Sequence, residues 1–311
     1  WYLLKGRDTG FALRSFAVAA GFGLASALSV IVLGDESGYT TGEQQKVKMA
    51  AIEAEWETQK PPASFMVFGI PDEKSETSRY ALHVPWLLGL MATRSVDKPV
   101  PGIIELRKQA EQRIANGMLA YGALQKLKGP DADDAARRAF DATKQDLGYG
   151  LLLKRFAPNV VDATPEQIRQ AAASTIPRVV PLFWSFRLMV AIGLWLLFVF
   201  ACAFYFLARR NVAPQRWLLR IAVCSIPLPW IAAELGWIVA EYGRQPWIIS
   251  GVLPTFLGAS TLAARDLYWS LAGFIGFYTL LLAIELYLMF KYARRGPSIL
   301  ETGAYYFEKT P

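Results

Sequence analysis

Four stretches of about 20 mostly apolar residues, 15–33, 188–208, 221–240 and 267–284, constrain this chain more than any other feature. Each approaches the length needed to cross the roughly 30 Å hydrocarbon layer of a bilayer as a helix. A backbone in lipid must satisfy its own polar groups, so these stretches are expected to be helices. A mean hydropathy of +0.25, with 53% hydrophobic residues, supports a membrane protein over a soluble one. The first stretch lies behind a charged segment and is not followed by a small-residue cleavage site, so it does not read as a signal peptide. All four are expected to stay in the mature chain.

Between the first two stretches lies a polar, charged block of about 145 residues, 34–178. That length exceeds an ordinary connection and calls for structure of its own. Thr164-Pro165-Glu166-Gln167 is a helix start, with an N-cap Thr, Pro at the first helical position and Gln three residues after the cap. Helical spacing also runs through 102–128 and 133–147, for example at Ile103, Leu106 and Ala110. Residues 64–70 and 79–84, separated by the turn-prone Pro71-Asp72-Glu73-Lys74, predict a small hairpin. The expected organisation is a flank and first span over 1–33, a loop domain over 34–178, and three spans with a tail over 179–311. The fold class is thus an all-α integral membrane protein: a four-span helical bundle with a large, mainly helical loop domain outside the cytoplasm.

Charge orients it. The block holds 19 basic and 19 acidic residues, so the formal net charge of +7 comes from the remainder. Lys5, Arg7 and Arg14 precede the first span; Arg209, Arg210, Arg216 and Arg220 separate the second from the third; Lys291, Arg294 and Arg295 follow the fourth. With alternating spans these clusters share one side, which the positive-inside rule assigns to the cytoplasm, and the block faces outward. No basic, aromatic-interleaved patch points to nucleic acid.

The outer end of the third span then carries GWIVAEYGRQPW (236–247). On a helix, Glu234, Trp237, Glu241 and Arg244 fall along one stripe. Ionisable groups at membrane depth face a partner or a cavity. From the residues alone, a Glu–Arg pair stapling two helices and a functional carboxylate are both open.

The motifs GDESGY (34–39), KMAAIEAEWETQ (48–59), DLGYGLLLKRFAPNV (146–160), FRLMVA (186–191), IPLPWIAAELGW (226–237) and VAEYGRQPW (239–247) resemble subunit I of cytochrome bd-type quinol oxidases. The likeness runs nearly end to end and is closest to the subfamily with a long outward loop, the Q-loop. It implies an enzyme of the bacterial inner membrane that oxidises ubiquinol at the periplasmic face and reduces oxygen to water, using two haems b and one haem d. It implies Met189 as ligand of the low-spin haem b iron and Glu241 as ligand of the high-spin haem b iron. Arg187 and Arg244 are then expected to meet haem propionates, which suit a guanidinium fork. Trp237 is expected to pack on a macrocycle or pass an electron, or simply to pack. Lys48 and Glu53 match residues at the family's quinol site. Five positions apart on a helix, they are poorly placed to pair and free to act separately; the plain alternative is a solvated helix face.

WYLLKGR (1–7) resembles the interior of family sequences, so the resemblance implies the carboxyl-terminal portion of the subunit. The implied partners are the amino-terminal part with its His ligands, subunit II of the oxidase, small single-span subunits, quinol and lipid. A reading from another class is a transporter or channel subunit, with Glu234, Glu241, Glu285 and Arg244 along an ion path and Pro227 and Pro229 breaking a span. His83, the single His, reads as a surface or packed residue, and Cys202 and Cys224 as small hydrophobes in apolar spans.

Overall fold

The computed structural model describes residues 1–130 and 133–296. In chain order the α-helices are α1 (Tyr2–Lys5), α2 (Thr9–Gln44), α3 (Lys46–Glu53), α4 (Leu87–Thr93), α5 (Ile103–Lys128), α6 (Asp134–Thr143), α7 (Leu147–Leu151), α8 (Pro165–Ala173), α9 (Val179–Ala208), α10 (Arg216–Cys224), α11 (Leu228–Trp237) and α12 (Ala264–Arg295). Strands β1 (Phe65–Asp72) and β2 (Thr77–Val84) form one antiparallel hairpin, and β3 (Trp247–Ile249) and β4 (Leu253–Pro254) a smaller one. The fold is mainly helical, as expected.

Four helical stretches are long and apolar enough to cross a membrane: Thr9–Gln44, Val179–Ala208, Arg216–Tyr242 and Ala264–Arg295. All four expected spans lie within them. Their apolar side chains are largely exposed, and α12 buries none of its residues. So much apolar surface is stable only against lipid or further protein. The first of these helices continues past residue 33 through the polar GDESGY segment to Gln44. Nothing there breaks a helix, since Gly34 and Gly38 carry only a modest propensity cost. The third is interrupted at Ser225–Pro227, between α10 and α11, because a proline cannot donate to the preceding turn.

The loop block is ordered by local rules legible in its sequence. Thr164 and Gln167 form the reciprocal capping box that starts α8, and the Asp133 carboxylate accepts from the Ala136 N–H to start α6. The hairpin turn lies two residues later than expected. Pro71 pairs with Ser78 within the ladder, and the Asp72 carboxylate accepts from the Lys74 N–H at 3.0 Å, which opens the turn. A proline is tolerated there because each strand of a two-stranded sheet is an edge.

The chain divides into two compact units. One comprises Trp1–Leu24, Val199–Cys224 and the described residues from Ser260 onward; the other comprises Ala25–Phe198 and Ser225–Ala259. In the first, Ala20, Val199, Ala203, Leu218 and Leu219 form the core, and the Tyr2 hydroxyl and Arg7 guanidinium donate to carbonyls at the end of α12. In the second, one core joins the end of α3 to α5 and α9 through Ile52, Ile103, Leu106, Leu182 and Phe183. Another gathers Ile114, Leu152, Leu153, Ala171 and Trp247. Gly117 and Gly150 let α5 and α7 touch backbone to backbone, since a Cβ on Gly117 would lie 2.3 Å from the Gly150 nitrogen.

Candidate functional site

The chain leaves α3 through a Schellman motif: the Glu55 N–H donates to the Ala50 carbonyl at 2.9 Å, and the Ala54 N–H reaches the Ala51 carbonyl. Ala54 takes the left-handed conformation, φ 53°, that usually calls for glycine. The reversal turns both Glu53 and Glu55 inward, to 3% and 4% exposure. Glu53 meets Arg187 of α9, whose Nη2 donates to its carboxylate at 3.0 Å. Arg187 also donates to the carbonyls of Ile52 at 2.9 Å, Phe183 at 3.3 Å and Met66, and its guanidinium lies 3.4 Å from the centre of the Phe183 ring. Burial pushes the Glu53 carboxyl above the ordinary carboxylate range, and the charge and hydrogen bond of Arg187 oppose it.

Among the described residues no cation is bonded to Glu55. The Gln59 amide donates to both of its oxygens, at 2.8 and 2.7 Å. Burial pushes its carboxyl up to about 7, opposed by the Gln59 hydrogen bond and reinforced by the charge of Glu53.

Lys48, on the same helix, goes elsewhere. Its Nζ donates to the Ala240 carbonyl at 3.1 Å. Its stem passes Gly243, where a Cβ would lie 3.2 Å from Cε and 2.5 Å from the Val239 carbonyl. Burial lowers its pKa, as does the charge of Arg244, while Glu241 raises it. Lys48 and Glu53 thus serve different partners, as their spacing predicts.

Residues Ile238–Tyr242, which follow α11, are wound as a π-helix. The wider turn rotates Glu241 and Arg244 away from the straight stripe that α-helical spacing predicts for Glu234 and Trp237, and single π turns recur at functional sites. Arg244 donates to the Glu241 carboxylate three residues back, so the pair lies within one turn and does not staple two helices. The Glu241 side chain remains 41% exposed. Trp237 is exposed. Met189 of α9 places its Sδ 3.2 Å from where a Cβ on Gly236 would stand, so the glycine gives the thioether room beside α11. Glu234 and Glu285 are exposed along their spans.

Lys46, Lys48, Arg113, Tyr149, Arg244 and Trp247 line a cavity of about 280 Å³. Arg113 is held by buried Asp146 at 2.7 Å and stacks 4.1 Å over the Tyr149 ring. Asn116 completes the Asp146 carboxylate at 3.2 Å. His83 is exposed, and its Nδ1 lies 3.2 Å from the Ser64 hydroxyl. Both cysteines are free.

Among the described residues no group of three or more His, Cys, Asp or Glu could hold a metal ion by itself. A haem iron asks for less, because the porphyrin supplies four donors and the protein one or two. Met189 and Glu241 fit that demand: single donors, neither fully buried, on segments flanked by exposed apolar and aromatic surface. Arg187 stands differently, its donors engaged by Glu53 and backbone carbonyls.

Sequence reasoning passed over Glu55, Gln59, the Arg113–Asp146 pair and the π turn. The first two had a visible signal, the ExE repeat and following Gln inside KMAAIEAEWETQ. The π turn had none, because a change of helical pitch leaves no fixed mark on residue type.

A family model described as cytochrome bd terminal oxidase subunit I matches residues 1–297. The chain is 43% identical over 302 residues to cytochrome bd-II ubiquinol oxidase subunit 1 of Escherichia coli (strain K12), covering 97% of this chain and 59% of that protein. It is 26% identical over 295 residues to cytochrome bd ubiquinol oxidase subunit 1 of Bacillus subtilis (strain 168), covering 94% and 51%. Among solved structures it resembles the bd oxidase from Geobacillus thermodenitrificans, with a TM-score of 0.60 and 25% identity, covering 96% of this chain and 53% of that one. The chain spans between half and three fifths of the length of these relatives.

Proposed function

The chain belongs to the cytochrome bd terminal oxidase subunit I family, and from that premise we propose that it is part of a terminal quinol oxidase of the bacterial inner membrane. In this reading the loop block, 34–178, would bind ubiquinol on the periplasmic side, and two haems b and one haem d, held by the whole assembly, would supply the redox chemistry that joins quinol oxidation to the reduction of oxygen to water. The charge clusters on one side of the spans support that orientation. The amino-terminal part of subunit I, subunit II and small single-span subunits complete the assembly.

The observation that carries the reading is the hydrogen bond from Lys48 to the Ala240 carbonyl. It ties the loop helix that carries the quinol motif to the π turn that carries Glu241. Lys48 positions a quinol oxygen and offsets its developing negative charge, and Glu53 receives a proton at its carboxylate. Met189 and Glu241 would hold haem iron, Arg244, bonded to Glu241, would steady that carboxylate and could meet a haem carboxylate, and Trp237 would offer an aromatic face to the group. Arg187, paired with Glu53, fixes α9 two residues ahead of Met189. Bound haem supplies the one-electron redox chemistry that side chains lack.

The test is a reduced-minus-oxidised optical spectrum of the intact complex, taken with quinol-driven oxygen consumption. Haem b and haem d bands with quinol oxidase activity are expected. An intact complex without haem bands would sink the reading.

A further inference from the structure

The end of α3 presents an uneven charge count. Two buried carboxylates, Glu53 and Glu55, share a single guanidinium, Arg187, which bonds Glu53 and not Glu55. Glu55 is held instead by the neutral Gln59 amide.

The orientation of that amide is fixed. The Ser64 backbone N–H, which can only donate, reaches Gln59 Oε1 at 2.8 Å, so Nε2 must face Glu55. The Ser64 hydroxyl adds a second contact to Oε1 at 3.2 Å and also meets Nδ1 of exposed His83. Among the described residues, the other elements packed here bring no further cation to Glu55. From α5, the Ile103 N–H donates to the Glu55 backbone carbonyl at 2.7 Å, while Arg107 is engaged by Glu76. The groups that act on the Glu55 carboxyl are therefore Gln59, Glu53 and Arg187, with His83 at one remove through Ser64.

With both carboxylates ionised the cluster carries one uncompensated negative charge in a buried site, and a proton on Glu55 neutralises it. We propose that Glu55 is the proton-holding group of the quinol site, taking up, through Glu53, a proton that quinol releases. The proposal rests on the reading that quinol is oxidised at this loop. Oxidation of quinol to quinone breaks two O–H bonds and gives up two electrons and two protons. The electrons leave by the haem path proposed above; each proton passes in turn from the hydroxyl to the carboxylate pair, resides on Glu55, and is then lost to outer water. A group whose pKa lies near the ambient pH both accepts and releases a proton readily; burial pushes both carboxyls of the pair up to about 7, and Glu55, which lacks the bond to Arg187, is the one that keeps the proton.

The sign of the pH dependence follows. Glu55 must be ionised to accept, so quinol turnover of the intact oxidase rises as pH rises through about 7. Glu55→Gln should remove that limb and lower kcat by about a hundredfold, while the haem spectrum stays normal. Gln59→Ala leaves Glu55 in place but strips a bond that favours its ionised form, so the limb should move to higher pH. A carboxylic-acid carbonyl band in the infrared spectrum of the intact oxidase should titrate over the same range and be missing in Glu55→Gln. A wild-type limb and band in Glu55→Gln overturn the proposal. If that variant fails to assemble, Gln59→Ala decides: an upward shift supports the proposal and an unmoved limb overturns it. Normal quinol turnover in both Lys48→Ala and Glu53→Gln overturns the parent reading and this one with it; impaired turnover there with a normal Glu55→Gln overturns this one alone.

Discussion

Arg187 holds five hydrogen bonds inside a patch built from α3, β1 and α9. A buried ion pair adds little net stability over an apolar pair of equal volume, but losing one partner strands the other. Arg187→Leu should therefore destabilise the protein by about 3–5 kcal/mol, because it leaves Glu53 and three carbonyls without their donor. Glu53→Gln, which keeps an acceptor for the guanidinium, should be milder. Thermal unfolding of the solubilised complex, followed by near-ultraviolet circular dichroism, ranks the two; equal midpoints would show that the pair bears no weight. The separate destinations of Lys48 and Glu53 were legible in their spacing. The partner of Arg187 was not: residue type shows that a guanidinium near the membrane needs an anion, but not which anion. A carboxylate 134 positions away in sequence becomes its neighbour only when α3 and α9 pack.

Helices were the most legible elements, since apolar length, the capping box at Thr164 and the spacing in α5 each carry a local physical signal. Their ends were less so, because α2 runs on through a polar segment that composition alone assigns to a loop. The π turn matters more for chemistry. It presents Glu241 on a segment whose carbonyls are not all taken by the helix, and Lys48 takes one of them. If this geometry serves iron, Glu241→Ala should remove the high-spin haem b signal from the optical spectrum, and Met189→Leu, which keeps volume but cannot ligate, should remove the low-spin haem b or turn it high-spin. Unchanged spectra in both would place the ligands elsewhere. The α5–α7 contact makes a stability prediction independent of haem. With 2.3 Å available between a Gly117 Cβ and the Gly150 nitrogen, Gly117→Ala must spread the two helices and should cost about 1–3 kcal/mol. Faster proteolysis of the loop block in that variant is the expected readout, and wild-type resistance would contradict the close approach.

At the scale of the molecule, the claim most exposed to refutation is that one side of the membrane handles quinol while iron is held deeper. Lys48 and Glu53 lie on α3, after the first long apolar helix and before the second, in the block that charge assigns to the outer face. Lys48→Ala and Glu53→Gln, which keeps an acceptor for Arg187, should then depress quinol oxidation while leaving the haem spectrum intact. Oxygen consumption driven by an artificial donor that bypasses the loop should survive in both. A protease added from the outer side should reproduce that pattern, because exposed charged segments are the preferred sites of nicking. The two interventions fail in different ways, which makes them worth combining. Cleavage that requires access from the cytoplasmic side would reverse the orientation and leave the site standing, whereas cleavage from outside with undiminished quinol turnover would keep the orientation and remove the loop from the reaction. Loss of the artificial-donor rate together with the quinol rate would show that the bond from Lys48 to Ala240 carries structural damage into the π turn, and that loop and iron-holding segment fold as one piece.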